Sequence, residues 1–405
     1  MNETEKGDIP RGGTIRAKAA ALSRTLNYSA DVILRFSFFY GMHRAIRLIH
    51  HLKKPSARQP IRVNTLKKDP EAVLASLRSV AGLEVEPSIF EDVLLVTIKG
   101  PYEVQTTGKA IIAKDKSAEK VMLGSNLYRP GVMRLGREIE KGEEVNVKTQ
   151  FGDVIAYGYS NLSAREKEMP DLVVRVEESQ YKLVNLENLE VFQRGWAYPA
   201  PLLSTQAIKW FDPIEESILC VFPDYRDLAY LISVSDGNAD VTVMTESNLE
   251  ERMIKKGLRG LKMGKWVDRI QWVQRKPQMY LKKKPFDAVL LAPKASKIGI
   301  RPRISGYLKE EDILRLSRES RKLVENLLPS VIEGGRLLFL LPSLDPSEGE
   351  ENIEYCIHEL GLQAFARKRE VGHQGVDGYS CKERVLRSYP DIDDDEGWFA
   401  SLLFK

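Results

Sequence analysis

Apolar and polar positions alternate with different periods along this chain, and the changes of period divide it. From about Ala17 to Lys53 the apolar residues recur at helical spacing, with Val32, Ile33, Phe36, Phe39 and Tyr40 on one stripe. Gly41 interrupts that stripe, and Ala45, Ile46, Leu48 and Ile49 resume it, so a helical hairpin packed on a core is predicted. Pro55 to Pro60 has linker composition. Ile61–Lys67 reads as a strand, 70–80 as an amphipathic helix and Val93–Ile98 as a second strand, a small α/β layer. Residues 108–178 switch to short strands, 109–114, 145–149 and 154–159, around a short helix within 116–124 and tight turns at Gly124 and Pro130-Gly131; this spacing predicts a small barrel. Beyond 179, strands at 217–222, 241–244, 270–273, 288–291 and 336–341 alternate with helices at 247–256, 310–328 and 350–360. That is the pattern of a doubly wound α/β sheet. The expected domains are therefore 1–107, 108–178 and 179–405.

Within the last domain, FDAVLL (Phe286–Leu291) holds a continuous apolar run from Ala288 to Leu291, as in a strand covered on both faces of a parallel sheet. Pro293 ends it, because proline brings no amide to the ladder. The loop beyond carries Lys294, Lys297, Arg301 and Arg303. Ligands of open α/β sheets sit just past the carboxyl ends of the strands, so a basic site is expected there.

Composition narrows the function classes. The chain has 405 residues, 43% hydrophobic and 29% charged, which suits a folded protein with sizeable cores. No apolar run reaches membrane-spanning length and the first residues lack the apolar core of a signal peptide, so a cytoplasmic location without membrane attachment is expected. The cysteines, Cys220, Cys356 and Cys381, are scattered and the histidines show no ligand spacing; neither a disulfide framework nor a metal site is expected. The net charge is only +4, but its distribution is uneven. Lys255, Lys256, Arg259, Lys262, Lys265, Arg269, Arg275, Lys276, Lys282, Lys283 and Lys284 share their stretch with a single acid, Asp268, and an acidic run at Asp391–Glu396 offsets them. Such asymmetry suggests a polyanion partner. The basic stretch reads either as a solvated face or as an RNA track, on which Trp266, Trp272 and Tyr280 would stack bases; Trp272, within a strand, also reads as core.

Several segments together carry a family resemblance. FDAVLL-AP followed by Gly299-Ile-Arg-Pro302 resembles the catalytic strand and loop of the Sun-type RNA cytosine-5 methyltransferases. The motif Arg62-Val-Asn-Thr-Leu-Lys67, the entry segment Arg194–Ala207 and the closing segments Arg387–Pro390 and Glu396–Ala400 are similar to that family's signatures. Lys116–Gly124, Tyr128–Gly131, Lys141–Val145 and Ala156–Gly158 resemble a PUA domain, a compact RNA-binding barrel. The resemblance implies a Rossmann-like S-adenosylmethionine methyltransferase fold, an N-terminal helical and α+β domain and an inserted PUA barrel. It also implies structured RNA, tRNA or rRNA, as partner. The PUA contacts carried over are Lys116, Ser117, Gly124, Arg129, Pro130 and Gly131; for the two glycines a plain turn role is the competing reading.

The family's chemistry is missing where it should lie. The resemblance places a nucleophilic cysteine at Lys294, an aspartate at Leu291 and a second cysteine at Pro342. Adding a thiolate to the pyrimidine ring needs a soft, partly ionised nucleophile, and neither lysine nor proline supplies one. The family's glycine-rich cofactor loop corresponds to Val221–Ala229, which has no glycine. Glu246, after the second strand, stands where an acid would hold a ribose, or serves a helix N-terminus instead. Past the third strand Gln274-Arg-Lys276 replaces the usual aspartate. The reading is an RNA-binding protein on a degenerate methyltransferase scaffold, without a cofactor, that acts as a chaperone or as partner to an active paralogue. An active cytosine-5 methyltransferase with displaced catalytic groups, using S-adenosylmethionine, is the alternative. Lys294 reads as a solvated lysine or as a cation that meets phosphate beside Lys297, Arg301 and Arg303.

Overall fold

The computed structural model describes residues 13–136, 139–162, 169–212, 217–274 and 285–405. Residues 1–12, and Arg275, Lys276, Tyr280, Lys282, Lys283 and Lys284 of the basic stretch, lie outside the described residues.

Three helices, Gly13–Leu26, Ala30–Tyr40 and Met42–Leu52, replace the expected hairpin. The extra break has a local cause: Asn27 takes a left-handed φ of 59°, and the Ser29 hydroxyl caps the second helix by accepting from the Val32 amide at 3.2 Å. Gly41, at φ 78°, makes the break that the pattern predicts.

The small α/β unit is a four-stranded antiparallel sheet in the order 197–199, 58–63, 93–97, 85–87, backed by the helix Pro70–Arg78. Its edge strand Ala197–Pro199 returns from far along the chain, after the barrel. The barrel sheet has six strands, in the order 127–128, 172–179, 154–160, 144–148, 110–113, 132–135, with the helix Asp115–Val121 against it.

The last domain is built on an eight-stranded sheet whose main path runs 271–274, 240–245, 217–221, 286–291, 331–341, 399–404, 363–364. The first five of these are parallel and 399–404 is antiparallel to 331–341. Ala288 to Leu291 are fully buried, as a strand covered on both faces requires. The order reverses beside strand 217–221, so the crevice for a ligand opens above its carboxyl end. The expected fold class, a Rossmann-like methyltransferase fold with an inserted barrel, is the one observed. Among the described residues, no helix is long and apolar enough to cross a membrane, and no His, Cys, Asp or Glu cluster is arranged to hold a metal.

Arg35, Arg62 and Arg387 have no solvent exposure; the last clasps Glu350 within the last domain, and the first two tie the N-terminal units to it. Arg62, from the 62–67 motif, donates to Asp227 (2.9 Å), Thr205 (2.7 Å) and Ser204 (2.5 Å) and lies over the Tyr230 ring. It ties the small sheet to the last domain. Arg35 donates to both carboxylate oxygens of Asp345 (2.5 and 2.7 Å) and to Glu310 (3.0 Å), tying the second helix to the loop after strand 331–341.

Candidate functional site

Strand 217–221 ends at Phe222, whose φ of 54° turns the chain sharply and whose amide is bonded to the Met244 carbonyl. Where a glycine would leave room for a ligand, this position carries a phenyl ring in a strained backbone. Phe222, Ala295 and Phe39 of the second helix pack against the cluster that holds Val221, Met244 and Leu291, three strand-end side chains without solvent exposure. Leu291, at the family's aspartate position, is therefore core.

Above this apolar floor two candidate residues meet. Lys294, beyond strand 286–291, forms an ion pair and hydrogen bond with Glu246, beyond strand 240–245. Strand 217–221 lies between those two in the sheet, so the pair crosses above its end. Both side chains are substantially exposed, and the bridge itself contributes little to stability. Its consequence is positional: Glu246 and Lys294 occupy each other above the strand ends.

On the other side the loops after strands 286–291 and 331–341 are stapled together. The buried Glu348 accepts from the Ser296 amide (2.7 Å), the Ser296 hydroxyl (2.6 Å) and the Ser343 hydroxyl (2.5 Å). Burial, reinforced by nearby Asp345, pushes its carboxyl up to about 7 although those hydrogen bonds pull the other way. Pro342 is half-buried, and Ser343 to Glu350 are all buried. Tyr40 seals the segment by donating to the Leu344 carbonyl. The sequence reading did not single out Glu348; the polar run Asp345-Pro-Ser-Glu348 after a strand end was the available signal.

The three thiols are remote from chemistry. Cys220, Cys356 and Cys381 have no solvent exposure. Burial pushes all three thiols up, that of Cys356 to about 12, so none is a ready thiolate.

The remaining candidates separate into two sets. Arg301 faces inward: it donates to the carbonyls of Lys54 (2.9 Å) and Pro55 (2.7 Å) and to Asp394 (3.0 Å), and only 3% of its side chain is exposed. It fastens the linker and the acidic run, and as an external contact it is corrected to a structural tie. Arg303 is half-buried and donates to the Lys297 carbonyl at 2.8 Å, while Lys297 is exposed. The loop then docks on the barrel, with the Ile304 amide donating to Glu119 (3.1 Å) and Ser305 bonded to Asp115. Arg303 and Lys116 both act electrostatically on Glu119, which burial raises to about 7. The strand-end loop thus meets the barrel at the helix that carries Lys116.

On the barrel, Lys116, Gly124, Arg129 and Pro130 are exposed around the helix and its following turns, with Tyr128, 54% exposed, among them. Gly124 has φ 100°, a conformation that favours glycine. Gly131 is buried; a Cβ there would sit 2.5 Å from the Ser117 hydroxyl, so Gly131 and Ser117 pack on each other behind the face. Trp266, a stacking candidate, is buried, with Gly237 against its ring. Trp272 is half-buried in its strand, with Lys255 over the ring at 4.6 Å.

Comparison with known proteins agrees with this architecture. Residues 109–178 match the family described as PUA domain, and residues 219–404 match that described as 16S rRNA methyltransferase RsmB/F. A tRNA (cytosine(72)-C(5))-methyltransferase of Pyrococcus horikoshii is 24% identical over 375 residues, 90% of this chain and 94% of that protein. The H/ACA ribonucleoprotein complex subunit CBF5 of Emericella nidulans is 38% identical over 76 residues, 19% of this chain and 16% of that protein. The structure of NSun6 from Pyrococcus horikoshii with SFG shares the fold at TM-score 0.85 and 22% identity, covering 94% of this chain and 98% of that one.

Proposed function

We propose that this chain, which carries a Sun-family RNA cytosine-5 methyltransferase domain behind a PUA domain, binds structured RNA, tRNA or rRNA, and does not methylate it. The observation that carries the reading is the Lys294–Glu246 pair across the strand ends. A methyl donor bound at this crevice needs a free acid for its ribose and backbone that approaches closely. Glu246 is engaged by a cation, and Phe222 stands at the turn where glycine would give access. These residues do not fit S-adenosylmethionine. A pyrimidine ring would meet an ammonium at position 294 and a proline at 342, with every thiol buried elsewhere.

RNA binding rests on the barrel face and the adjoining loop. Lys116, Arg129 and Lys297 supply cations for phosphate, the Gly124 turn admits a sugar–phosphate closely, and Tyr128 offers a ring for stacking. A protein that grips RNA without modifying it suits a chaperone, or a companion to an active methyltransferase paralogue. The second reading, an active cytosine-5 methyltransferase, is favoured by one finding: the Pyrococcus horikoshii relative is aligned over nearly its whole length.

One assay separates them. The purified chain is incubated with methyl-tritiated S-adenosylmethionine and total tRNA and rRNA, and the RNA is captured and counted. The expected result is RNA retained on the protein, with affinity falling steeply with salt as phosphate contacts dictate, and no label above that of boiled protein. Label in the RNA would establish the second reading.

A further inference from the structure

The helix Asn248–Gly260 runs back from strand 240–245, so the segment after it, 261–270, lies at the amino ends of the strands, opposite the crevice. Two distant segments converge there. Gly195 has φ 65°, and a Cβ on it would lie 2.2 Å from the Leu261 carbonyl oxygen, so only glycine lets the Arg194–Trp196 turn sit so close. Lys67, the last residue of the 62–67 motif, donates to the carbonyls of Leu261 (2.7 Å) and Lys262 (2.8 Å). Lys68 and Arg194 lie over the half-buried Trp196 ring at 5.1 and 5.0 Å. Lys265 and Arg269 lie over the Trp266 ring at 4.8 and 4.7 Å.

We propose that this convergence, with Lys67 and Lys68 on the Trp196 side and Lys262, Lys265 and Arg269 on the Trp266 side, is a second RNA-binding surface that takes the sugar–phosphate backbone of a structured RNA. The charges are not spent internally. Arg194 pairs with Glu190 and Lys255 with Glu251, whereas those five cations pair with no described carboxylate. Lys67 is pushed down to about 8, by burial first and then by Lys262 and Lys265, as in a group of ammoniums lacking a counter-anion. The side chains are also preordered: carbonyls hold Lys67, and ring faces hold Lys68, Lys265 and Arg269. Less side-chain freedom is then lost on binding. Finally, the surface adjoins the small sheet, which the reciprocal Lys99–Lys182 backbone bonds (3.1 and 2.8 Å) join to the barrel. An extended polyanion reaches both; a small acidic ligand has no use for such a spread.

The proposal rests on the RNA-binding reading, and its test keeps the two apart. Binding of total tRNA to the full chain is measured over a range of salt for the wild type, for Lys262→Glu with Lys265→Glu, and for Lys116→Glu on the barrel. The expected result is a loss of at least about tenfold in affinity for the double variant, with the log–log salt slope reduced by roughly two. Ultraviolet crosslinking of the wild-type complex is expected to attach nucleotides to peptides containing Trp196 or residues 262–269, a readout independent of any variant's folding. Unchanged affinity in the double variant, with Lys116→Glu weakened and those peptides unlinked, would overturn the second surface and leave RNA binding standing. Absence of wild-type binding even at low salt would overturn both.

Discussion

Replacing Arg387 by alanine is expected to destabilise the last domain by about 3–5 kcal/mol, the cost of stranding a buried charge. The guanidinium clasps both oxygens of Glu350, one at 2.6 Å, donates to the Ser343 carbonyl at 3.1 Å and lies 4.9 Å from the Phe399 ring centroid. Neither side chain has any solvent exposure. Alanine would leave Glu350 with the Val376 amide, at 2.9 Å, and no cation. For a domain of this size the loss corresponds to a fall in melting temperature of roughly 10 °C. Lysine at this position is not conservative, because one ammonium cannot reproduce the planar fork. Adding Glu350→Gln to Arg387→Ala should recover part of the loss, since the stranded charge is then gone. A melting shift of only a degree or two in the single variant would mean that the clasp contributes little and that the loop 343–350 is held by packing alone.

The second large effect is on pH dependence. Glu348 titrates near 7 in the folded chain against 4.5 for an ordinary glutamate. A carboxyl whose pKa is higher folded than unfolded binds its proton more tightly in the folded state, so its contribution to stability is lost as pH rises from about 4.5 and is fully lost above about 7. At about 1.4 kcal/mol per unit, the span amounts to roughly 3 kcal/mol at most. Burial also raises Asp395, to about 6, and Glu396, to about 7, so the wild type slopes the same way for other reasons. The informative quantity is the difference from Glu348→Gln. Urea midpoints at pH 5 and pH 8 should show the variant gaining on the wild type as pH rises, by about 1–3 kcal/mol. A difference that stays constant across the window would show that Glu348 is an ordinary carboxylate and that the staple between Ser296 and Ser343 is not as dry as described.

Much of the architecture was legible because it is local. The apolar run ending at Leu291, the Gly41 break, the barrel's turns and the alternation after residue 217 each follow from side-chain period and backbone restriction within a few residues. The break before Ser29 has a local signal too, since Asn-Tyr-Ser ahead of an apolar stripe is a capping pattern. What periodicity could not give is pairing at a distance. Nothing near Ala197 says that it will lie beside Val63, 134 positions earlier in the chain, and no local rule joins Lys294 to Glu246 or Arg35 to Asp345. Arginine shows the difficulty most clearly. Arg301 and Arg303 are two positions apart in one basic loop, yet the first is buried among carbonyls and the second is only half-buried. Sequence gives their charge; only the packing gives their direction. The absent cysteines, by contrast, were visible at once, because a missing functional group needs no geometry to be noticed.

Whether the crevice above strand 217–221 is closed to a methyl donor is tested most directly by titrating S-adenosylmethionine into the full chain by calorimetry. A closed crevice gives dilution heats only, with no saturation. A saturable isotherm with micromolar affinity, about −8 kcal/mol, would contradict it. Glu246 would then have exchanged its lysine for a ribose.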